Sequence, residues 1–183
     1  MLVLWIVLGV LALVLIYGLY AYNRLVRTRN RVDNAWSQID VQLRRRYDLI
    51  PNLVEAVKGY AAHEREVFDH VADARAQAEQ ASTVGDQAQA ENQLTRGLRR
   101  LIAVAEAYPQ LKASENFLAL QEELTATESR IAYARQFYND QVAALNTYRQ
   151  SFPSAIVARL GNFPARQFFD IEDPVRGPVS VDI

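Results

Sequence analysis

Two hydrophobic rhythms divide the chain. Residues 2–22 carry no charged side chain and consist mostly of Leu, Val and Ile. Beyond them, apolar residues return every three or four positions: Leu25, Val32, Trp36, Ile39, Leu43, Tyr47 and Ile50. An unbroken apolar run suits a helix in hydrocarbon, and a three/four spacing marks one buried stripe on an amphipathic helix. Neither Gly nor Pro falls between Leu19 and Ile50, so the spacing predicts one helix that leaves the apolar segment and continues as a stiff stalk. Pro51 interrupts this pattern, as a kink or a short break; Asp48 is positioned to cap a new helix with Pro51 in its first turn. The stripe resumes with Leu53, Val54, Val57, Ala61, Phe68 and Val71, then fades into Ala/Gln/Glu-rich sequence with a turn expected at residues 82–86 and Gly85 as its breaker.

A second helix carries Leu94, Leu98, Leu101 and Ala105 and ends at Tyr108-Pro109. A third begins near Ser114 and holds the longest stripe, from Phe117 through Leu120, Leu124, Thr127, Ile131, Ala134, Tyr138, Gln141 and Leu145 to Tyr148. Its alternating gaps of three and four form a heptad seam of the coiled-coil kind, suited to antiparallel packing. A short helix is expected over Ser154–Leu160. After Gly161, three prolines (Pro164, Pro174 and Pro178) predict an extended tail whose start docks through Phe168, Phe169 and Ile171. The fold class is all-α: an N-terminal transmembrane helix continuing into an antiparallel helical bundle of three long helices plus a short fourth. The expected division is an anchor at 1–22, a cytoplasmic bundle at 23–160 and the tail at 161–183.

A helix over residues 2–22 is roughly 31 Å long, which matches a hydrocarbon core of about 30 Å. Trp5 near one end and Tyr17, Tyr20 and Tyr22 near the other are the ring placements that membrane interfaces favour. No Lys or Arg precedes the run and no small-residue cleavage site follows it, which argues against a cleaved signal peptide. Arg24, Arg27, Arg29 and Arg31 follow the run closely. Basic flanks stay on the cytoplasmic side, so the expected topology is single-pass in the bacterial inner membrane, N-terminus outside and bulk inside. Trp5, Tyr17, Tyr20, Tyr22, Arg24 and Arg27 are the candidate membrane-interface residues, with lipid as their partner.

Composition narrows the chemistry. The chain of 183 residues has no cysteine, which removes disulfides, iron–sulfur clusters and thiol nucleophiles. Twenty basic against 21 acidic side chains argue against a dedicated nucleic-acid binder. The seven glycines form no phosphate-cradling loop, and no Gly-x-Ser-x-Gly is present. His63 and His70, seven residues apart with Glu66 between them, would share a helix face, yet they match neither known helical metal motif. Solvated side chains or a Glu66–His70 pair are the expectation. No catalytic residue, metal site or cofactor is assigned.

Several runs resemble the LemA family of bacterial membrane proteins. They are Tyr22-Asn23, then Arg31-Val32-Asp33-Asn34-Ala35-Trp36 on to Leu43; Arg45-Arg46-Tyr47-Asp48-Leu49-Ile50-Pro51-Asn52-Leu53-Val54 on to Glu64; Tyr108-Pro109-Gln110-Leu111-Lys112-Ala113 with Phe117 to Gln121 after it; Thr127-Glu128-Ser129-Arg130-Ile131 on to Arg135 with Tyr138-Asn139; and Phe152-Pro153-Ser154. They match in order and spacing across nearly the whole chain. The resemblance implies one N-terminal membrane helix and a helical bundle, and no biochemical activity. One departure is Gly161-Asn162-Phe163-Pro164, where the family more often shows Gly-Phe followed by basic residues.

Asp40, Asn52, Asn116, Glu128, Arg135 and Asn139 fall within or beside these runs, close to the packing seams. They read as interhelical pairs that set register, since buried polar groups need partners, or as a partner-binding groove. The functional expectation is a noncatalytic membrane scaffold acting through protein–protein contacts, as a homo-oligomer or with a further protein partner. The alternatives are an accessory or regulatory subunit of a membrane enzyme or signalling system, and a metal-dependent enzyme. Tyr60, Tyr133 and Phe137 lie off the main stripes and are candidates for contact between copies.

Overall fold

The computed structural model describes residues 1–61 and 63–171. Among them there are six helices and no strand: α1 (Leu2–Lys58), α2 (Arg65–Gln80), α3 (Val84–Glu106), α4 (Pro109–Lys112), α5 (Glu115–Gln150) and α6 (Ser154–Leu160). The all-α class and the apolar N-terminal helix are as the pattern predicts. The tail beyond Ile171 lies outside the described residues.

α1 is one helix of 57 residues, and it is long and apolar enough to cross a membrane. Pro51 neither ends nor divides it. Proline has no N–H, so the carbonyl of Tyr47, four residues back, loses its helical donor. Arg75 of α2 supplies a replacement, with its Nε donating to that carbonyl at 2.9 Å. The break comes later, at Gly59, and α2 starts afresh at Arg65. The stripe therefore belongs to two helices, and His63 sits in the connection between them rather than on a helix face shared with His70.

The faded Ala-rich stretch is a tight helical hairpin. α2 buries Phe68, Val71, Ala74 and Ala78; α3 buries Ala88, Ala90, Leu94, Gly97, Leu98, Leu101 and Ala105. Small residues let the helix axes close up: a Cβ on Gly97 would meet Val71 Cγ2 at 3.3 Å. Gly85 is not the breaker; it lies in the first turn of α3. Thr83 makes the N-cap, accepting from the Asp86 amide at 3.1 Å and donating to Asp86 Oδ2 at 2.7 Å.

The chain forms two compact units, and α1 and α5 each supply residues to both. The first comprises Met1–Ser37 and Gln136–Phe168. In it α1 buries Ala21, Leu25, Val32 and Ala35, while α5 buries Tyr138, Val142 and Leu145. The helices run antiparallel, because Trp36 meets Tyr138 at 5.3 Å while Arg24 lies over Tyr148 at 4.3 Å. Residues 1–16 are exposed throughout.

The second unit comprises Gln38–Arg135 and, after α6, the described residues from Phe169 onward. Its core includes Ile39, Leu43 and Ile50 from α1, Leu94 and Leu101 from α3, Leu111 from α4, and Phe117, Leu124 and Ile131 from α5. Every seam position of α5, in either unit, is buried or half-buried.

Candidate functional site

In the second unit the core is not purely apolar. Arg46 projects from α1 and is 1% exposed; Glu91 projects from α3 and is fully buried. The Arg46 guanidinium donates through Nη1 to Glu91 Oε2 at 2.9 Å, and through Nη2 to Thr95 Oγ1 at 2.9 Å and Glu128 Oε1 at 2.8 Å. Its Nε is buried without an acceptor among the described residues. The Tyr47 hydroxyl donates to Glu91 Oε1, and the Gln87 amide donates to the same oxygen at 3.0 Å and to the Ala78 carbonyl at 3.2 Å. One guanidinium thus serves two carboxylates from two different helices.

Burial pushes the Glu91 carboxyl above its ordinary value, opposed by the Arg46 charge and the Tyr47 and Gln87 hydrogen bonds; the Glu128 carboxylate adds to the rise. Burial and the neighbouring Glu91 likewise push the Tyr47 phenol up, out of the physiological range. Such a cluster ties α1, α3 and α5 into one register, because slipping any helix would strand a buried charge.

In the first unit, polar side chains of α5 hold a chain segment that has no regular structure. Arg149 Nε donates to the Phe163 carbonyl at 3.1 Å, Asn146 Nδ2 to the Arg166 carbonyl at 2.9 Å, and the Tyr138 hydroxyl to the Gln167 carbonyl at 2.9 Å. The Arg166 amide donates back to Asn146 Oδ1 at 3.1 Å, and its guanidinium pairs with Asp33 at 2.6 Å. Gly161 permits the turn that starts this segment, since a Cβ there would lie 2.7 Å from the Phe163 ring. In the second unit, Arg135 continues the pattern by donating to the Ile171 carbonyl at 2.6 Å, and Phe169 is fully buried. Phe168, expected to dock, is instead about half exposed.

The expected site residues have separate fates. Glu128 joins the buried cluster through Arg46, and Arg135 donates to the Ile171 carbonyl. Asp40 pairs locally with Arg44 at 2.9 Å. Asn139 is half-buried, whereas Asn52 and Asn116 are exposed. Trp5, Tyr20, Tyr22, Arg24 and Arg27 are exposed and Tyr17 is half-buried, all on α1. Arg24 stacks on Tyr148, and Tyr22 meets the Phe163 ring edge-on at 5.6 Å. His63, Glu66 and His70 are exposed, and no group of three or more metal-ligating side chains occurs among the described residues.

Sequence reasoning passed over Arg46, Glu91, Tyr47 as a donor, Gln87 and Thr95. The signal was present: Arg46 falls three residues after Leu43 and four before Ile50, and Glu91 three before Leu94. Opposite charges that each occupy a stripe position on different helices are the mark of a buried pair.

These features define an all-α chain whose N-terminal helix is long and apolar enough to cross a membrane, with a core held by an interhelical charge cluster. Residues 35–183 match the LemA family, and the chain belongs to it. Among curated proteins it is similar to magnetosome protein MamQ of Magnetospirillum gryphiswaldense, at 25% identity over 177 residues. It is also similar to the two MamQ proteins of Paramagnetospirillum magneticum, at 26% identity. Each comparison covers 82% of this chain, and the chain spans 65% of the length of each relative.

Proposed function

We propose that this chain is a noncatalytic, single-pass membrane scaffold of the bacterial inner membrane, with its N-terminus outside and its bulk in the cytoplasm. The observation that carries the reading is α1 itself. One helix of 57 residues begins with a bilayer-length apolar run and continues without interruption into the packed core. A stiff link of that kind gives every copy the same presentation at the membrane, which favours repeated lateral contacts. Exposed rings support the protein–protein part: Tyr133 is 76% exposed, and Tyr60 and Phe137 are about half exposed. The relatives' source, bacteria with proteins named for the magnetosome, agrees with a bacterial setting.

Mass measurement of the full-length protein in mild detergent, with and without added lipid, tests the scaffold. Assemblies larger than one protomer are expected; a lone protomer at micromolar concentration under both conditions sinks the self-association reading. Orientation has its own test, motivated by the arginines after Tyr22. A reporter fused after Ile183 should behave as cytoplasmic, and periplasmic alkaline phosphatase activity from it would reverse the topology.

A further inference from the structure

The first unit places a second apolar surface beside the end of the anchor. α6 is amphipathic the wrong way round for a helix facing water. Ser154 and Ala158 are its buried side, whereas Ile156 is 55% exposed and Leu160 83% exposed. Phe152, in the turn that leads into α6, is also 83% exposed. Ile156 and Leu160 stand four residues apart on the helix and so share one face. Arg159 is exposed beside them. An outward apolar face with a basic neighbour is the composition of an interfacial membrane contact.

Helix register gives the level of that face. α1 and α5 run antiparallel, with Trp36 against Tyr138 and Arg24 against Tyr148. Twelve residues along α1 correspond to ten along α5. Two residues past Tyr148, the end of α5 at Gln150 therefore lies level with α1 near Tyr22, and Phe152 stands in the turn just beyond it. Tyr17 and Tyr20 are electrostatic neighbours of Tyr148, and α1 first gains cover from the rest of the unit at Tyr17 and Gly18. The chain then turns back, because Phe163 meets Tyr22 and Arg29. The α5–α6 corner is thus the end of this unit nearest the exposed apolar run at residues 1–16. Polar headgroup regions add roughly 5–8 Å on each side of the hydrocarbon. A corner level with the last turn of the apolar run falls within that layer.

We propose that Phe152, Ile156 and Leu160 form a second membrane contact, dipping into the headgroup–acyl boundary of the leaflet from which α1 emerges. The occupant of this face is lipid, with Arg27 and Arg159 toward anionic headgroups. The apolar surface of the anchor and that of α6 then make one continuous lipid-facing surface, fixing rotation of the first unit about α1 as well as its depth. The proposal rests on α1 spanning the bilayer, and the test separates the two.

The chain has no cysteine, so single introduced cysteines can carry an environment-sensitive fluorophore. The probes are Ile156→Cys and Leu160→Cys, with Leu8→Cys as the anchor control and the exposed α5 position Asp140→Cys as the water control. Each is placed in the full-length protein in vesicles of phosphatidylethanolamine and phosphatidylglycerol. The expected result is blue-shifted emission at 156 and 160, with loss of intensity on brominated lipid approaching that at 8 and absent at 140. Water-like emission at 156 and 160 with quenching at 8 overturns the second contact and leaves the span standing. A blue shift without lipid quenching assigns the face to protein and also overturns it. No quenching at 8 overturns the span and the second contact together.

Discussion

Two arginines on the same helix live under different physics. Arg46, in the second unit, is buried and held by two carboxylates and a threonine hydroxyl. Arg24, in the first, is exposed and lies over the Tyr148 ring at 4.3 Å. A buried guanidinium loses its hydration and needs opposite charge with most donors matched. An exposed one keeps water on one side, so a ring face is a sufficient neighbour. The first unit mostly follows the second pattern: Arg24 and Arg29 face rings and Arg149 and Asn146 bind backbone carbonyls, while its Arg166–Asp33 pair is partly exposed. The second concentrates its ionic cost in one place. The difference teaches that charge within a helical stripe can be part of the core, provided that its partners arrive from other helices.

Breaking the cluster should have the largest effect. Arg46→Met leaves Glu91 buried without its counter-ion and is expected to destabilise by about 3–5 kcal/mol. Arg24→Met removes only a surface stacking contact and should cost about 0.5–1 kcal/mol. Urea unfolding of the full chain in detergent, followed by circular dichroism, compares the two. Equal losses would erase the contrast between the units. Combining Arg46→Met with Glu91→Leu and Glu128→Met should recover much of the loss, because burying apolar groups in place of paired charges is often near neutral.

The clamp on the segment after α6 is an intermediate case. Asn146 exchanges two hydrogen bonds with the backbone of Arg166, much as a neighbouring strand would. Asn146→Ala removes both and should cost about 1–2 kcal/mol, at about 1 kcal/mol for each bond. Hydrogen exchange should show faster exchange at the Arg166 amide, with the α3 core unaffected. Unchanged protection of that amide would show that the segment is held by packing alone.

Legibility followed the kind of partner each residue has. The α5 seam was readable because apolar contacts leave a three/four rhythm, and the structure buries or half-buries every position from Phe117 to Tyr148 that carries it. The bounds of α6 were readable from its flanks, with Pro153 before it and Gly161 after it. The hairpin of α2 and α3 was legible in part: the expected turn overlaps its connection and the Leu94–Ala105 stripe is buried, but its Ala- and Gly-mediated contacts register weakly as hydrophobic. The carbonyl that Pro51 frees, at Tyr47, is satisfied by Arg75, 28 residues further along the chain, which no local pattern reports. The clamp was hidden for a related reason: its acceptors are carbonyls, common to every residue type. In the cluster, Glu128 was singled out as a register-fixing residue, while Arg46 and Glu91 were passed over although each stands at a stripe position.

The smallest expected effect concerns the proton on Glu91, and its sign distinguishes a cluster limited by burial from one dominated by ion pairing. An ordinary salt-bridged carboxylate has a lowered pKa and adds stability that is lost on acidification. Glu91 goes the other way: burial holds its carboxyl above the reference value of 4.5. The folded state then binds its proton more tightly than the unfolded state. The associated stability is fully present below pH 4.5 and is lost as pH rises through the folded value. Glu91→Gln supplies the comparison, since glutamine offers an acceptor to Arg46 and does not titrate. The stability of the natural chain relative to this variant should be greatest at the acid end and should shrink as pH rises from 4.5 toward neutrality. Urea titrations of both proteins across that range read the difference directly and cancel the titration of groups remote from the cluster. A relative stability that instead grows with pH would mean that the Arg46 charge outweighs desolvation at Glu91. The buried cluster of the second unit would then be held by charge pairing that more than offsets its desolvation.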